Sequence, residues 1–497
     1  MGLSRAEQGG YMEEETRAPE GERKALSTDR LGTKSVLRLL IEFSIPAVIM
    51  MTFNALYNIV DSIFLGQAVG EMGIAVTTLA FPIMILLMGL SALAGQGGNA
   101  LAAIQLGEDK IDAVERTLGN TVFLLLLIAA IIAFAGIVFI DPILAIVGTT
   151  PELHDLAKTF VQILMIGFVF QCVGMGANNF LRTEGKPMLA LATSVLGTIV
   201  CIIMNFVLVM WLGFGVAGSA IATIVGQGVG GVPVIWYLVR GKGAPFHLKL
   251  SRMKPDIRLW GTILSLGVAS FIMQVANAVI NSILNQTLAY YGAMDPIGSA
   301  GALAAIGVAS RVNGFAIMPA IGVLMGAQTL IGYNYGARKW SRVLKSYWLG
   351  ALFATIILTG FFVLVHIIPG PIVELFGVEG ELEQFCIYAL KVMTAMFPLI
   401  GFQMMSGNYF QSTGQPLKAS LLSLTRQVLF LIPLLLLMPP FLPGIIGVTS
   451  LQAVCFTYPT ADVLSILTTA AFIIPEILKL RRRAREDAQE NSEGQVI

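Results

Sequence analysis

The chain has 497 residues, of which 56% are hydrophobic and only 12% are charged, and its mean hydropathy is +0.79. This composition excludes a soluble globular protein and indicates an integral membrane protein. The net charge of +1, from 31 basic and 30 acidic residues, gives no reason to expect a nucleic acid as a partner.

The chain begins with a polar segment that does not resemble a signal peptide. Residues 1–35 contain the acid-rich stretch EQGGYMEEETRAPEGERK and lack a basic start followed by a short apolar core. We therefore expect a disordered cytoplasmic tail here. A second cytoplasmic tail is predicted at residues 479–497.

Between the tails, apolar runs recur that are each about 20 residues long, enough to cross a hydrocarbon core of about 30 Å. They predict an all-α integral membrane protein with about 12 transmembrane helices. The predicted spans are residues 37–65, 74–96, 117–140, 159–180, 188–211, 216–239, 259–286, 301–331, 346–368, 384–410, 417–438 and 446–475.

Lysine and arginine accumulate in the short cytoplasmic loops of membrane proteins. Here the basic residues between spans fall in alternate loops, and the other set of loops contains only Lys158. The basic set is Lys110, Arg116, Arg182, Lys186, Arg240, Lys242, Lys249, Arg252, Lys254, Arg258, Arg338, Lys339, Arg342, Lys345 and Lys418. This split predicts an even number of spans with both termini in the cytoplasm.

The most basic loop divides the chain into two halves of six spans each. It has the sequence VRGKGAPFHLKLSRMKPDIR and lies between the sixth and seventh predicted spans. The division gives an amino-terminal lobe at 36–240, a basic cytoplasmic linker at 241–258 and a carboxy-terminal lobe at 259–478. The charge of the linker fits a positive-inside anchor, and contact with anionic lipid is the alternative.

The two halves contain matching segments. NNFLRTEGKP aligns with SGNYFQSTGQP when Pro187 is placed on Pro416, and the same offset places Gly107 on Gly336. An even number of helices separates the copies, so both copies face the same way in the membrane. A parallel repeat of this kind leaves a cleft between two helix bundles, which is typical of transporters that open the cleft alternately to each side; channels and scaffolds also contain repeats.

One acid interrupts the first predicted span. Asn54, Asn58 and Asp61 are spaced four and three residues apart, so they share one side of a helix. A carboxylate near the centre of a membrane helix costs roughly 2.5–3.5 kcal/mol and tends to face a polar interior. We expect Asp61 to point into the amino-terminal lobe and carry a coupling ion. A purely structural acid, hydrated at the outer end of the helix, is the alternative.

Polar side chains on other spans also share helix faces, which favours either packing between helices or the lining of a cleft. The second-lobe stripe on span seven carries amides but no charge, so we expect ion coupling in the first lobe and a polar cleft wall in the second. The candidate cleft-lining residues are Asn54, Asn58, Thr198, Thr223, Gln227, Gln274, Asn277 and Asn281.

Several segments together resemble the multidrug and toxic compound extrusion (MATE) family of transporters, within the wider group that includes lipid-linked oligosaccharide flippases. These segments are SIPAVIMMTFNALYNIVDSIFLG, FLRTEGKP, FQSTGQP, RVNGFAIMPAIGVLMGAQTLIGYNYGARK and RQVLFLIPLLLLMP. The likeness covers about residues 35–478. It implies two six-helix lobes that export organic, often cationic and aromatic, compounds across the plasma membrane in exchange for protons or sodium ions.

Resemblance to the prokaryotic branch of this family also implies a coupling-ion site at Asp61, Asn179 and Asn205. Many relatives carry an aspartate four residues after the fifth-span asparagine, where this chain has Val209. A sodium ion at Asp61 would therefore lack one hard oxygen ligand, whereas protonation of Asp61 requires fewer partners. The coupling ion, H+ or Na+, stays open.

The sequence lacks the motifs of other functional classes. The sequence contains no GxxxxGK[ST] phosphate loop and no HExxH metal motif, so we expect no nucleotide, no cofactor, no metal other than sodium and no enzymatic activity. Three basic residues lie within or near the predicted spans and have no assigned function. We interpret Lys391 as a side chain that snorkels to the interface and Arg426 as a structural strut bonded to carbonyl groups. Arg311 is the third.

An exporter of small organic molecules is the favoured reading, with lipid as its surroundings and a monomer as its expected state. A flippase for a lipid-linked precursor is the alternative, although it should show a cleft of basic side chains, and most basic residues here lie in loops. A pure channel is a weaker third option.

Overall fold

The computed structural model describes residues 31–69, 71–147, 153–241, 244–374 and 380–493. Within the helices of that part, the side chains of residues 54–63, 65–69, 71–75, 78, 79, 146, 147, 250, 300, 487, 488 and 490–493 lie outside the described set. The described chain is almost entirely helical and contains no strand, so the predicted fold class is confirmed.

Eleven helices of the described chain are long and apolar enough to span a membrane, and a pair bent by 46° brings the number to 12. We call them spans 1 to 12. Spans 1 to 6 are Val36–Val69, Glu71–Gly107, Ile111–Val138, His154–Thr183, Pro187–Trp211 and Gly215–Arg240. Spans 7 to 12 are Ile257–Gly292, Gly298–Gly336, Trp340–Ile367, the bent pair Glu381–Thr394 with Phe397–Ser412, Pro416–Phe441, and Ser450–Glu493.

Short helices at Ile140–Val147, Pro369–Glu374 and Pro443–Ile446 lie between spans. Two spans change their winding: span 5 continues as a π-helix over Phe206–Trp211, and span 11 does so over Thr425–Leu431. Span 12 runs well beyond its predicted end at residue 475, because the helix continues through most of the basic segment that we expected to be a tail.

The structure corrects one of the predicted basic loops and adds contacts to another. Arg182 is not a loop cation, since it lies in the last turn of span 4 and is only 4% exposed. The linker packs on the first lobe through two ion pairs, and its role as a positive-inside anchor stays a prediction. Lys249 Nζ lies 2.7 Å from Glu115 Oε2, and Arg252 Nη2 lies 2.6 Å from Asp112 Oδ1.

Among the described residues, the two lobes share a hydrophobic core at one end of the molecule. At the end where the basic loops lie, which we call the basic end, Phe43 and Phe180 of the first lobe belong to the same buried cluster as Leu330, Tyr347 and Phe410 of the second. Away from this end each lobe has its own core. The first-lobe cluster includes Leu125, Phe168 and Val216, and the second-lobe cluster includes Leu284, Leu390 and Val454.

Glycines bring the helix backbones of the two lobes into contact at the basic end. A Cβ on Gly107 would lie 1.9 Å from the carbonyl oxygen of Tyr333, and one on Gly336 would lie 1.9 Å from that of Ile104. Gly107 and Gly336 are the pair that the repeat equates. Repeat-related positions that contact each other must lie beside the pseudo-symmetry axis, so the structure is consistent with the predicted duplication.

Further contacts join span 2 to span 7 and span 1 to span 8. A Cβ on Gly267 would lie 1.7 Å from the carbonyl oxygen of Leu93, and one on Gly322 would lie 2.6 Å from Val48 Cα. The backbone just before span 1 is also held by the second lobe, because Arg342 Nη2 donates to the carbonyl oxygens of Leu31 at 3.0 Å and Lys34 at 2.6 Å. The basic end is therefore tightly closed.

Candidate coupling site and inter-lobe cleft

The first candidate site is on span 1, which forms a helix from Val36 to Val69 with Pro46 inside it. The side chains of Asn54, Asn58 and Asp61 lie outside the described residues, so their predicted roles stay predictions. The backbone at Asp61 is helical and lies in the outer third of the span, far from the closed basic end.

Aromatic packing places the outer part of span 1 beside span 5. The ring of Phe64 lies 6.3 Å from the ring of Phe206, centroid to centroid. Asp61 precedes Phe64 by one helical turn, and Asn205 directly precedes Phe206. Two of the predicted coupling residues therefore belong to helix segments that meet at the same level of the first lobe.

Asn205 is 1% exposed and is the last residue of the α-helical part of span 5. The π-helix that follows contains Val209, which is also 1% exposed. A π-turn inserts an extra residue into the helical register and is frequently found at functional sites. No sequence pattern predicts this π-helix, because the segment FVLVMW is apolar throughout.

Asn179 has a different setting from Asn205. Its side-chain oxygen accepts a hydrogen bond from Arg182 Nη2, and Arg182 Nη1 lies 3.8 Å from Met50 Sδ on span 1. Met50 precedes Asp61 by about 17 Å of helix at 1.5 Å per residue. The structure thus places Asn179 toward the basic end of the lobe and does not bring it to the level at which Phe64 and Phe206 meet.

The remaining first-lobe candidates lie on spans 5 and 6. The Thr198 hydroxyl donates to the carbonyl oxygen of Ser194 at 3.1 Å, within its own helix. Thr223 is buried, and Gln227 is half-buried. The two spans approach closely, since a Cβ on Gly197 would lie 2.7 Å from the carbonyl oxygen of Gly226. Close packing by small residues is typical of helix pairs in membranes.

In the second lobe, the three candidates on span 7 have different neighbours. Gln274 faces the first lobe, because a Cβ on Gly89 of span 2 would lie 3.2 Å from Gln274 Cβ. Asn277 instead accepts a hydrogen bond from Gln427 Nε2 of span 11 at 3.1 Å. Asn281 is exposed and donates to the carbonyl oxygen of Asn277 at 2.7 Å.

The second lobe also contains an intramembrane carboxylate that our sequence reasoning missed. Asp462 of span 12 is 3% exposed, and its Oδ1 lies 2.8 Å from Arg426 Nε of span 11. Arg426 is therefore held by a carboxylate rather than by a carbonyl group, and it lies in the second π-helix. An acid inside the predicted span 446–475 was a visible signal, of the same kind that drew attention to Asp61.

A cleft separates the lobes beyond the closed basic end. Faces of spans 2, 7 and 8 that pack together at that end continue outward as exposed side chains, among them Leu86, Asn281 and Phe315. Separate cores above a common closed end give the molecule two bundles that can move as units. Together the fold and the cleft define a multi-pass membrane transporter.

Comparisons with known proteins agree with this class. The MatE family profile matches residues 46–207 and 269–437. Multidrug export protein MepA of Staphylococcus aureus strain N315 is 24% identical over 464 residues, which cover 92% of this chain and 97% of that protein. The protein of the same name from Staphylococcus haemolyticus strain JCSC1435 is 24% identical over 392 residues, covering 79% and 85%.

Solved structures show the same fold. A multidrug resistance MATE family transporter of the MOP superfamily, in an outward-facing conformation, matches with a TM-score of 0.83 at 21% identity, covering 91% of this chain and 98% of that one. A MATE in the straight conformation matches with a TM-score of 0.83 at 22% identity, with the same coverage. The chain belongs to the MATE family, and the family predicted from the sequence segments is confirmed.

Proposed function

We propose that this protein is a secondary active antiporter of the plasma membrane that exports organic, often cationic and aromatic, compounds in exchange for protons or sodium ions. The observation that carries the proposal is the architecture of the cleft. The two lobes share a core at the basic end, have separate cores elsewhere, and expose polar and apolar side chains on the faces between them. Membership of the MATE family and similarity to multidrug export proteins support the same activity.

The direction of transport follows from the distribution of charge. Basic loops favour the cytoplasmic side, so the closed basic end is cytoplasmic and both termini lie inside. The cleft then opens outward, and rocking of the two lobes would expose it alternately to each side. No enzymatic step and no cofactor is required, because an ion gradient supplies the driving force.

Asp61 is our proposed coupling residue. Moving one charge across the membrane potential is worth about 2.3 kcal/mol per 100 mV, which is sufficient to bias the exit of a substrate. The contact between Phe64 and Phe206 supports a site between Asp61 and Asn205, and the absence of an acid at Val209 favours a proton over sodium. Asn179 joins this site only if the lobe rearranges, because its amide is bonded to Arg182.

The test is ethidium efflux from liposomes that contain the purified protein, with a proton gradient and a sodium gradient imposed separately. We expect efflux under the proton gradient, and we expect Asp61→Asn to abolish it, because the amide keeps the shape of the side chain but cannot ionise. Asp109→Asn, a change at an exposed loop aspartate, is the matched control and should export normally.

Normal gradient-driven export by Asp61→Asn would refute the role of this acid. Efflux driven only by sodium would assign the site to that ion. If the wild-type protein exports no ethidium under either gradient, the result would contradict the exporter function. It would favour a flippase whose substrate is the lipid-linked precursor.

A further inference from the structure

The last helix of the chain continues beyond its apolar part as a strongly basic segment. Span 12 runs as one helix from Ser450 to Glu493, and the seven residues after Leu478, KLRRRAR, include five basic side chains, all of them exposed. We call residues 479–485 the arginine segment. Clusters of four or more basic residues directly beside a membrane helix are typical of contact with anionic lipid. The helical register shows whether these side chains face the lipid.

One face of the arginine segment packs on the second lobe. Ile473, Ile477 and Leu480 are 0%, 7% and 2% exposed and belong to the buried cluster of the basic end. Arg483 lies on the same side of the helix, because its guanidinium carbon is 5.1 Å from the ring centroid of Trp340 at the start of span 9. These contacts fix the rotation of the helix about its own axis.

The opposite face continues the lipid-facing surface of span 12. Leu467, Ile474 and Leu478 are 62%, 52% and 59% exposed and lie on the side of the helix turned away from the second lobe. At 100° per residue, Arg481 and Arg485 lie within about 60° of the direction of Leu478. Both arginines therefore point toward the lipid that surrounds the protein.

The position of the two arginines along the helix matches the headgroup layer. Arg481 comes about 4.5 Å and Arg485 about 10.5 Å beyond Leu478, at 1.5 Å per residue. The headgroup layer begins where the hydrocarbon ends and is about 5–8 Å thick on each side. Since an arginine side chain can bend back toward the interface, both guanidinium groups can reach the lipid phosphates.

Two carboxylates near the arginine segment are bound by other residues. Glu476 Oε2 lies 3.3 Å from Lys418 Nζ, and its Oε1 accepts a hydrogen bond from Gln415 Nε2 at 3.1 Å. Glu486 Oε1 lies 2.8 Å from Arg482 Nε. These acids therefore neutralise Lys418 and Arg482 and leave the charge of the lipid-facing pair in place.

The order of charges along the helix also fits an anionic surface. Asp487 and Glu490 follow the arginine segment in the sequence, about 14 and 18 Å beyond Leu478 along the axis and thus outside the headgroup layer. Arg481 and Arg485 are four residues apart on one face, where like charges destabilise a helix. An anion held by both guanidinium groups removes this repulsion.

We propose that Arg481 and Arg485 form a binding site for the phosphate of an anionic phospholipid on the lipid-facing side of span 12. A guanidinium group binds phosphate oxygens through two parallel hydrogen bonds, and the apolar stripe that ends at Leu478 contacts the acyl chains. A zwitterionic phospholipid binds less well, because its own ammonium group is repelled by the arginines. The site lies outside the cleft and does not depend on the transported substrate.

The test is native mass spectrometry of the detergent-purified full chain, titrated with phosphatidylglycerol or with phosphatidylcholine of the same acyl chains. We expect the wild-type protein to bind one phosphatidylglycerol more tightly than any phosphatidylcholine. Arg481→Gln/Arg485→Gln should weaken this binding about tenfold or more and change the binding of phosphatidylcholine by less than about twofold.

Two further variants separate a site from a general effect of charge. Arg481→Lys/Arg485→Lys keeps both charges and loses the two-point geometry, so it should retain part of the affinity for phosphatidylglycerol. Lys254→Gln/Arg258→Gln removes two exposed basic residues from the linker and is the charge-matched control, which should bind like the wild-type protein. Size-exclusion profiles confirm that each variant is folded.

Unchanged binding of phosphatidylglycerol by Arg481→Gln/Arg485→Gln would overturn the proposal. An equal loss in Lys254→Gln/Arg258→Gln would also overturn it, because that result indicates only a general attraction to the basic end. If glycerol phosphate displaces the lipid at equal concentration, the arginines bind a soluble phosphate rather than a membrane lipid. The assay needs no ion gradient, so its outcome is independent of ethidium efflux.

Discussion

The pair of half-buried Arg426 and buried Asp462 shows how strongly a single residue depends on its partner inside a membrane protein. Asp462 is almost completely buried, and Arg426 Nε lies 2.8 Å from its carboxylate. Removing one member of such a pair leaves the other charge uncompensated, which costs about 3–5 kcal/mol in buried pairs of soluble proteins. Replacing both members by apolar side chains removes the uncompensated charge.

We expect Asp462→Leu to lower the free energy of unfolding by about 3 kcal/mol or more, and the double variant Asp462→Leu/Arg426→Met to recover most of this loss. Thermal unfolding of the detergent-purified proteins measures both changes. A double variant no more stable than the single one would show that the ion pair is not the cause.

Glu184 offers a pH-dependent prediction outside the spans. It lies in the turn after span 4, where it is 2% exposed, accepts a hydrogen bond from the Tyr237 hydroxyl and lies 3.5 Å from Lys186 Nζ. Burial raises the pKa of Glu184 above its usual 4.5, and Tyr237, Lys186 and His247 offset only part of this shift. The folded protein therefore holds a proton that the unfolded chain has lost, so stability falls as pH rises from 4.5 toward the raised pKa.

Glu184→Gln cannot ionise, so we expect its melting temperature relative to wild type to rise as pH increases through this window. Melting temperatures from about pH 4.5 to 7.5 test the difference. Glu381→Gln, at an exposed glutamate, is the control: its melting temperature should change with pH in the same way as that of the wild-type protein. If the melting temperature of Glu184→Gln also changes with pH as in the wild-type protein, burial does not raise the pKa of this carboxyl group.

At the scale of helices, glycine determines how closely the lobes approach. The backbones of spans 2 and 8 touch at Gly107 and Gly336, where a Cβ would lie 1.9 Å from a carbonyl oxygen of the opposite span. Real Cβ atoms do not approach so closely, so a substitution must push the helices apart. We expect Gly107→Ala to shift the population away from the closed basic end.

Spin labels at Lys110→Cys and Arg338→Cys report this shift, because both loop positions are exposed at the basic end and the native cysteines are buried. The inter-label distance should lengthen in Gly107→Ala. Gly360→Ala is the control, since a Cβ there meets open space. Equal distance distributions for Gly107→Ala and the control would show that this contact does not determine closure.

The whole molecule is closed at one end and open at the other, which predicts one-sided access to the cleft. In proteoliposomes of known orientation, an impermeant thiol reagent should modify Asn281→Cys when added at the open end and not when added at the basic end. Leu330→Cys, a position in the shared core that is 1% exposed, should react from neither side. Equal reaction of Asn281→Cys from both sides would contradict a closed basic end.

The sequence alone determined the class, the fold and the family of this protein, because these depend on local properties. Each membrane span must satisfy its own backbone hydrogen bonds, so a run of apolar residues is sufficient to predict a helix. The repeat was visible because Pro187 and Gly107 recur at one offset, and Asp61 was visible because an acid is rare in an apolar span.

Only the tertiary structure decided which helix faces meet. It paired Arg426 with Asp462, 36 residues away, joined Asn277 to span 11, and bonded Asn179 to Arg182 near the basic end. It also left the side chain of Arg311 in span 8 exposed. Hydropathy and residue spacing give the direction of a side chain within its own helix, but its partner depends on how the helices pack, and that packing is set by small-residue contacts distributed over the whole chain.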